Sequence, residues 1–144
     1  MQKLNFREIT LEDRAKFEEI TSTPFYAALE DSDVTFENIY VWGKSDHGAV
    51  AETPDGWIVM NRSPEGKTTF SPPFLRDPVK LPEAIEAIFR YCAENGIVPE
   101  VHCLPEAMKP ILEQAGYSLL EDRDAFEYLY SADDLITLRG KKYN

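Results

Sequence analysis

Few side chains in this sequence are equipped for chemistry, and they are scattered. The histidines are His47, in "SDHGA", and His102, in "PEVHCL"; the cysteines are Cys92 and Cys103. His47 reads as a solvated loop residue. His102 and Cys103 are chain neighbours, but successive strand residues face opposite ways, so the pair does not share a metal ion. Both thiols are expected to be free and buried, Cys92 on the apolar face of a helix and Cys103 in an apolar strand. "EDRD", residues 121–124, sets three carboxylates around Arg123. It reads either as a solvated turn or as an arginine held to meet a partner. Tyr40 and Trp42 cannot share one narrow helix stripe, so the two can divide between core and packing surface; core or intramolecular packing is the favoured reading of both, ahead of ligand binding. Tyr128 and Tyr130 alternate along an aromatic strand; either could give a proton to a thiolate leaving group, although the same spacing serves simple packing. The sequence holds no G-x-S-x-G, H-E-x-x-H, C-x-x-C or G-x-x-x-x-G-K-[ST] motif.

The elements that must position these residues belong to one domain, the size that 144 residues suit. Aromatic residues at 12% are too many for a disordered chain. The net charge of −11 opposes free binding to nucleic acid and docking on an anionic membrane. No apolar run approaches the roughly 20 residues that span a bilayer, and the N-terminus has no signal-peptide pattern. A cytoplasmic protein with no membrane insertion is expected.

"FREITLEDRAKFEEI" opens a helix with Thr10 as N-cap, and Leu11, Ala15, Phe17 and Ile20 on its apolar face. Pro24 breaks it. "VTFENIYVW" is a second helical piece. The period then changes to two, and "GAVAETPDGWIVMNR" forms two strands around "PDG". Trp57 and Val59 face one way, Ile58 and Met60 the other, so this strand is covered on both sides. A strand at 67–71 follows, ended by "SPPFLRDP", then a helix at 82–95 stopped by Gly96. A strand at 100–104 and a helix at 105–115 come next. Pro110 either kinks that helix or marks its true start. Residues 117–131 read as two strands, with Phe126, Tyr128 and Tyr130 on one face. The fold class is mixed α/β, of the α+β type, with a mixed central sheet flanked by helices.

This order resembles the heart of a GNAT acyltransferase fold. "FREITLEDRAKF", "TFENIYVW", "PEAMKPILEQAGY" and above all "EDRDAFEYLYSADDLITLRGKKY" resemble a bacterial family of uncharacterised proteins. Its relatives include the carboxy-terminal domain of phosphatidylglycerol lysyltransferase. The resemblance implies a tandem pair of GNAT-like domains, of which this chain is similar to the first: a domain at 1–138 and, at 139–144, the start of a basic linker to a second domain. Related lysyltransferases pass an aminoacyl group from charged tRNA to a lipid headgroup. The basic end, with Arg139, Lys141 and Lys142, then reads as linker.

A GNAT domain that binds acyl-CoA holds the pyrophosphate on backbone N–H groups of a glycine-containing loop ahead of a helix. The equivalent stretch here, "SPPFLRDPVKLP", contains no glycine. Pro72, Pro73, Pro78 and Pro82 have no N–H to donate. Arg76 and Lys80 offer charge without a cradle. No cofactor is therefore expected in this chain, acyl-CoA included, and no metal. Three functions remain open: a non-catalytic half that packs on, orients or regulates a second domain; a self-contained acyltransferase or aminoacyltransferase; and a module that dimerises. Contacts to a second domain or a homodimer partner would fall on Tyr40, Trp42, Arg123, Tyr128, Tyr130, Lys141 and Lys142.

Overall fold

The computed structural model describes residues 3–125 and 131–137. Tyr128, Tyr130, Lys141, Lys142 and the expected linker lie outside the described residues, as does most of the second expected strand before residue 131.

The centre is an antiparallel sheet: β1 (Arg7–Glu8), β2 (Ala49–Thr53), β3 (Gly56–Arg62), β4 (Thr68–Phe70) and β5 (Phe74–Leu75). Thr53 pairs with Gly56, so β2 and β3 are joined by the two residues Pro54 and Asp55, at the turn the sequence predicts. "SPPFLRDP" does not end the pairing. Ser71 N still donates to Val59 O, Pro72 and Pro73 interrupt the ladder, and β5 resumes it opposite Gly56 and Trp57. Both β4 and β5 thus lie along β3, the second strand having been missed because two prolines hid it.

The two apolar faces of β3 are real, and different helices cover them. Phe74 sits opposite Trp57, and its ring meets Phe17 of α1 (Arg14–Thr21) at 4.7 Å. Phe70 sits opposite Met60, on the other face, and meets Tyr91 of α4 (Leu81–Asn95) at 6.4 Å. Trp57, Ile58 and Val59 are all buried. Alternation along the strand puts α1 on one side and α4 on the other.

Helix α4 buries Leu81, Ile85, Ile88 and Cys92 and leaves Phe89 partly exposed. Gly96 follows in the left-handed conformation and closes the helix with N–H to Cys92 O. The first helix departs from expectation. Residues Leu11–Asp13 form a 3-10 turn before α1, and only Phe17 and Ile20 of the expected stripe are buried; Leu11 and Ala15 face outward. Pro24 does more than break that helix: it starts the short α2 (Pro24–Ala27). Helix α3 (Phe36–Ser45) is capped by the Thr35 hydroxyl, which accepts from Asn38 N at 3.2 Å.

Residues 100–104 form no regular strand. A single parallel bridge joins Phe70 to Val101, through Phe70 N to Glu100 O and His102 N to Phe70 O. Cys103 then takes φ +59°, which ends the extended run. Pro110 resolves as a start: a 3-10 turn at Glu106–Met108 leads into α5 (Lys109–Gln114), with the proline in its first turn. Residues 117–122 are irregular and Arg123–Ala125 make a 3-10 turn. Residues Ala132–Thr137, just past the expected strand pair, are helical (α6).

Candidate functional site

The resemblance in the sequence puts an anion-binding loop, if any, in the segment between β4 and α4. Pro72 and Pro73 are buried there, and Phe74 and Leu75 are fully packed. The two cations of the segment are occupied. Arg76 donates from its guanidinium to Pro54 O at 3.1 Å and from its backbone N–H to Asp55 O at 2.8 Å. Lys80 reaches Asp55 Oδ1 at 3.1 Å, and that contact raises the lysine pKa. Asp77 spends its carboxylate on Val79 N. Arg76 and Lys80 therefore fasten the hairpin turn at 54–55 to the sheet.

The same segment is pinned from the opposite side by Tyr26. Its buried hydroxyl accepts from Leu75 N at 2.7 Å and donates to Pro73 O at 3.3 Å. Burial pushes its pKa up to about 12, in spite of the backbone hydrogen bond from Leu75. No spacing in the sequence ties residue 26 to residues 73 and 75, so this lock was not legible.

Tyr40 packs as expected, whereas Trp42, for which packing was also expected, lies on the outer side of the helix. Tyr40 stacks on buried Phe36, with ring centroids 5.7 Å apart, and carries Lys44 over its ring. Trp42 is 57% exposed and Val41 beside it 62% exposed. The structure does not bring Arg123 to either; Arg123 is exposed, and within its turn Asp122 accepts from Asp124 N at 3.2 Å.

His47 adopts φ +48° in its loop. His102 pairs through Nε2 with Glu100 at 2.8 Å, and Lys67 reaches the same carboxylate at 2.7 Å, drawing its pKa down. Both cysteines are free, but Cys103 is exposed where burial was expected. Its thiol lies beside Asp33, and partial burial followed by the charge of Asp33 pushes its pKa up to about 11. Among the described residues, no three histidine, cysteine or acidic side chains are grouped to hold a metal ion.

Two features escaped the sequence reading. One is the Arg7–Asp13 pair at the corner between β1 and α1, with Arg7 lying 5.6 Å above the Trp57 ring. The Thr10-to-Asp13 spacing signals the cap, but nothing local signals the arginine. The other is a surface hollow of about 320 Å³ between α1, α2 and α3, floored by Tyr26, Val34 and Phe36 and rimmed by Glu18, Glu30 and Glu37.

The chain matches no curated protein. One solved structure is similar: a conserved protein of unknown function from Bacteroides thetaiotaomicron, at 22% identity and a TM-score of 0.77. The match covers 97% of this chain but 46% of that one, so the chain spans about half the length of its structural relative. It shows the fold. The family described as phosphatidylglycerol lysyltransferase, C-terminal, matches residues 26–144, which takes in β2 to β5 and α4 but not β1 or α1. This chain therefore belongs to the phosphatidylglycerol lysyltransferase C-terminal family.

Proposed function

We propose that this chain is a GNAT-like half-site of a tandem acyltransferase or aminoacyltransferase, doing no chemistry alone and serving to pack on, orient or regulate a second GNAT-like domain. The family's name supports a lysyl transfer to phosphatidylglycerol as the reaction of the longer protein. The length of the structural relative supports a second domain beside this one. The cytoplasm is the proposed compartment; among the described residues no helix is long and apolar enough to cross a membrane.

The observation that carries the reading is the segment Ser71 to Pro82. A phosphate-bearing donor needs free backbone N–H groups and available cations at a helix N-terminus. Here prolines remove the donors, Arg76 and Lys80 are tied to the 54–55 turn, and Tyr26 takes the N–H of Leu75. Calorimetric titration with millimolar CoA tests the point. No heat of binding is expected, and saturable binding would overturn the half-site reading. The tandem arrangement is tested by the intact mass of the native cellular protein, which is expected to exceed 16.5 kDa clearly; a match to that value would sink it.

A further inference from the structure

The inner side of α3 is set by Phe36, Ile39 and Gly43, which are buried. At 3.6 residues per turn, Val41 points directly away from them and Trp42 flanks it. Both are more than half exposed, an unusual place for a tryptophan. We propose that this outer face of α3, centred on Val41 and Trp42, docks a basic polypeptide surface that carries an apolar anchor. Resting on the half-site reading, that surface belongs to the second domain of the longer protein.

Charge decides the occupant. Residues 11–46 hold nine acidic and three basic side chains. All three basic groups are already paired, Arg14 with Glu18 and Glu37, Lys16 with Glu52 and Lys44 with Glu8, and of the acids Asp13 is held by Arg7, which still leaves the layer net negative. A second copy of this chain would bring the same negative layer and be repelled, and so would an anionic lipid surface. A basic surface is complementary, and an apolar side chain on it would bury Trp42 at the centre of the contact. The hollow adjoins the face, because Glu37 on its rim lies one helical turn from Val41; Arg14 already holds Glu37 and Glu18, so Glu30 carries the charge the rim adds. The hollow leaves room for the aliphatic stem of a partner's lysine or arginine.

The test is a calorimetric titration of the 144-residue chain with an amphipathic lysine–leucine helical peptide, with oligolysine as a charge-only probe. The amphipathic peptide is expected to bind more tightly than oligolysine, and to shift the fluorescence of Trp42 to the blue. Added salt is expected to weaken it on the order of tenfold. The double substitution Val41→Asp, Trp42→Ala is expected to cut affinity on the order of tenfold or more, while Val98→Ser, at an exposed site elsewhere, leaves it unchanged. Equal affinity for oligolysine, indifference to the double substitution, or a dimer by light scattering with no peptide binding would each overturn the proposal. A native mass of 16.5 kDa would remove the second domain as the source of the surface, while the titration would still decide the docking face.

Discussion

The Arg7 guanidinium holds the Asp13 carboxylate through two parallel hydrogen bonds of 2.9 and 2.8 Å. Asp13 is 6% exposed and also accepts from Thr10 N at 2.9 Å, so one carboxylate closes the corner between the first strand and the first helix. The Arg7 hydrogen bonds outweigh the cost of burial and hold the Asp13 pKa below its ordinary value. A depressed carboxylate stabilises the fold above its unfolded pKa, and that contribution is lost as pH falls through the folded value. Asp13→Asn is expected to cost about 1–3 kcal/mol near neutral pH. It is also expected to flatten the acid limb of the stability curve. Denaturant melts from neutral pH down into the acid range check both, and an unchanged acid limb would count against the pair.

Tyr26 gives the opposite pH dependence. Its neutral hydroxyl is the form the fold uses, and burial raises its pKa to about 12. Stability is therefore complete below the unfolded tyrosine pKa and falls as pH rises from there through about 12. Tyr26→Phe leaves the N–H of Leu75 buried without its acceptor, at a cost of about 1–3 kcal/mol at neutral pH. The variant is expected to lose less further stability than the parent in strong alkali. Parallel denaturation at neutral and alkaline pH measures the difference.

What was legible in the sequence follows the range of the interaction. The hairpin at Pro54–Asp55, the two-faced strand around Trp57 and the helix ending at Gly96 are encoded within a few residues, and each stands where its pattern puts it. The pairing of Phe74 and Leu75 is non-local. Two prolines look like an end, and only the partner strand shows that the ladder resumes. Residues 100–104 carry strand-forming types, but pairing stops at Val101, because Cys103 turns away with a positive φ. For the candidate site, that Tyr40 and Trp42 cannot share one stripe follows from helix period alone. The engagement of Arg76 and Lys80 with a turn more than 20 residues earlier does not.

Gly56 marks where that non-local pairing is tightest. A Cβ built there would stand 1.9 Å from Phe74 O, a backbone atom that cannot swing aside. Gly56→Ala is expected to separate the Trp57 strand from Phe74 and Leu75 and to disturb the fully buried Phe74 ring. The destabilisation is expected to reach about 4 kcal/mol or more, in the range of severe core substitutions. Thermal melting checks it. Gly66, with open space around the same construction, serves as the comparison, where the cost of alanine comes from backbone conformation alone.

The last expectation concerns a thiol that is exposed and yet slow. Cys103 lies at the surface, but its sulfur is partly buried, hydrogen-bonded with Asp33 and near the charges of Asp31 and Asp122. These raise its pKa from 9.0 to about 11, which lowers the thiolate fraction at neutral pH by about a hundredfold relative to an unperturbed cysteine. Since the thiolate is the nucleophile, Cys103 is expected to react with a disulfide reagent far more slowly than its exposure suggests, while Cys92, fully buried in α4, stays silent until the protein unfolds. Asp33→Asn removes the nearest charge and is expected to speed the reaction. Local loosening of the loop would also speed it and, by relieving burial, would lower the alkaline midpoint too, so salt discriminates. With a neutral disulfide reagent, an electrostatic role makes added salt speed the parent more than the variant, whereas loosening leaves the two equally indifferent to salt. A native Cys103 that reacts at the rate of a free cysteine at neutral pH would refute the raised pKa, and an Asp33→Asn variant that reacts no faster would refute the part given to Asp33.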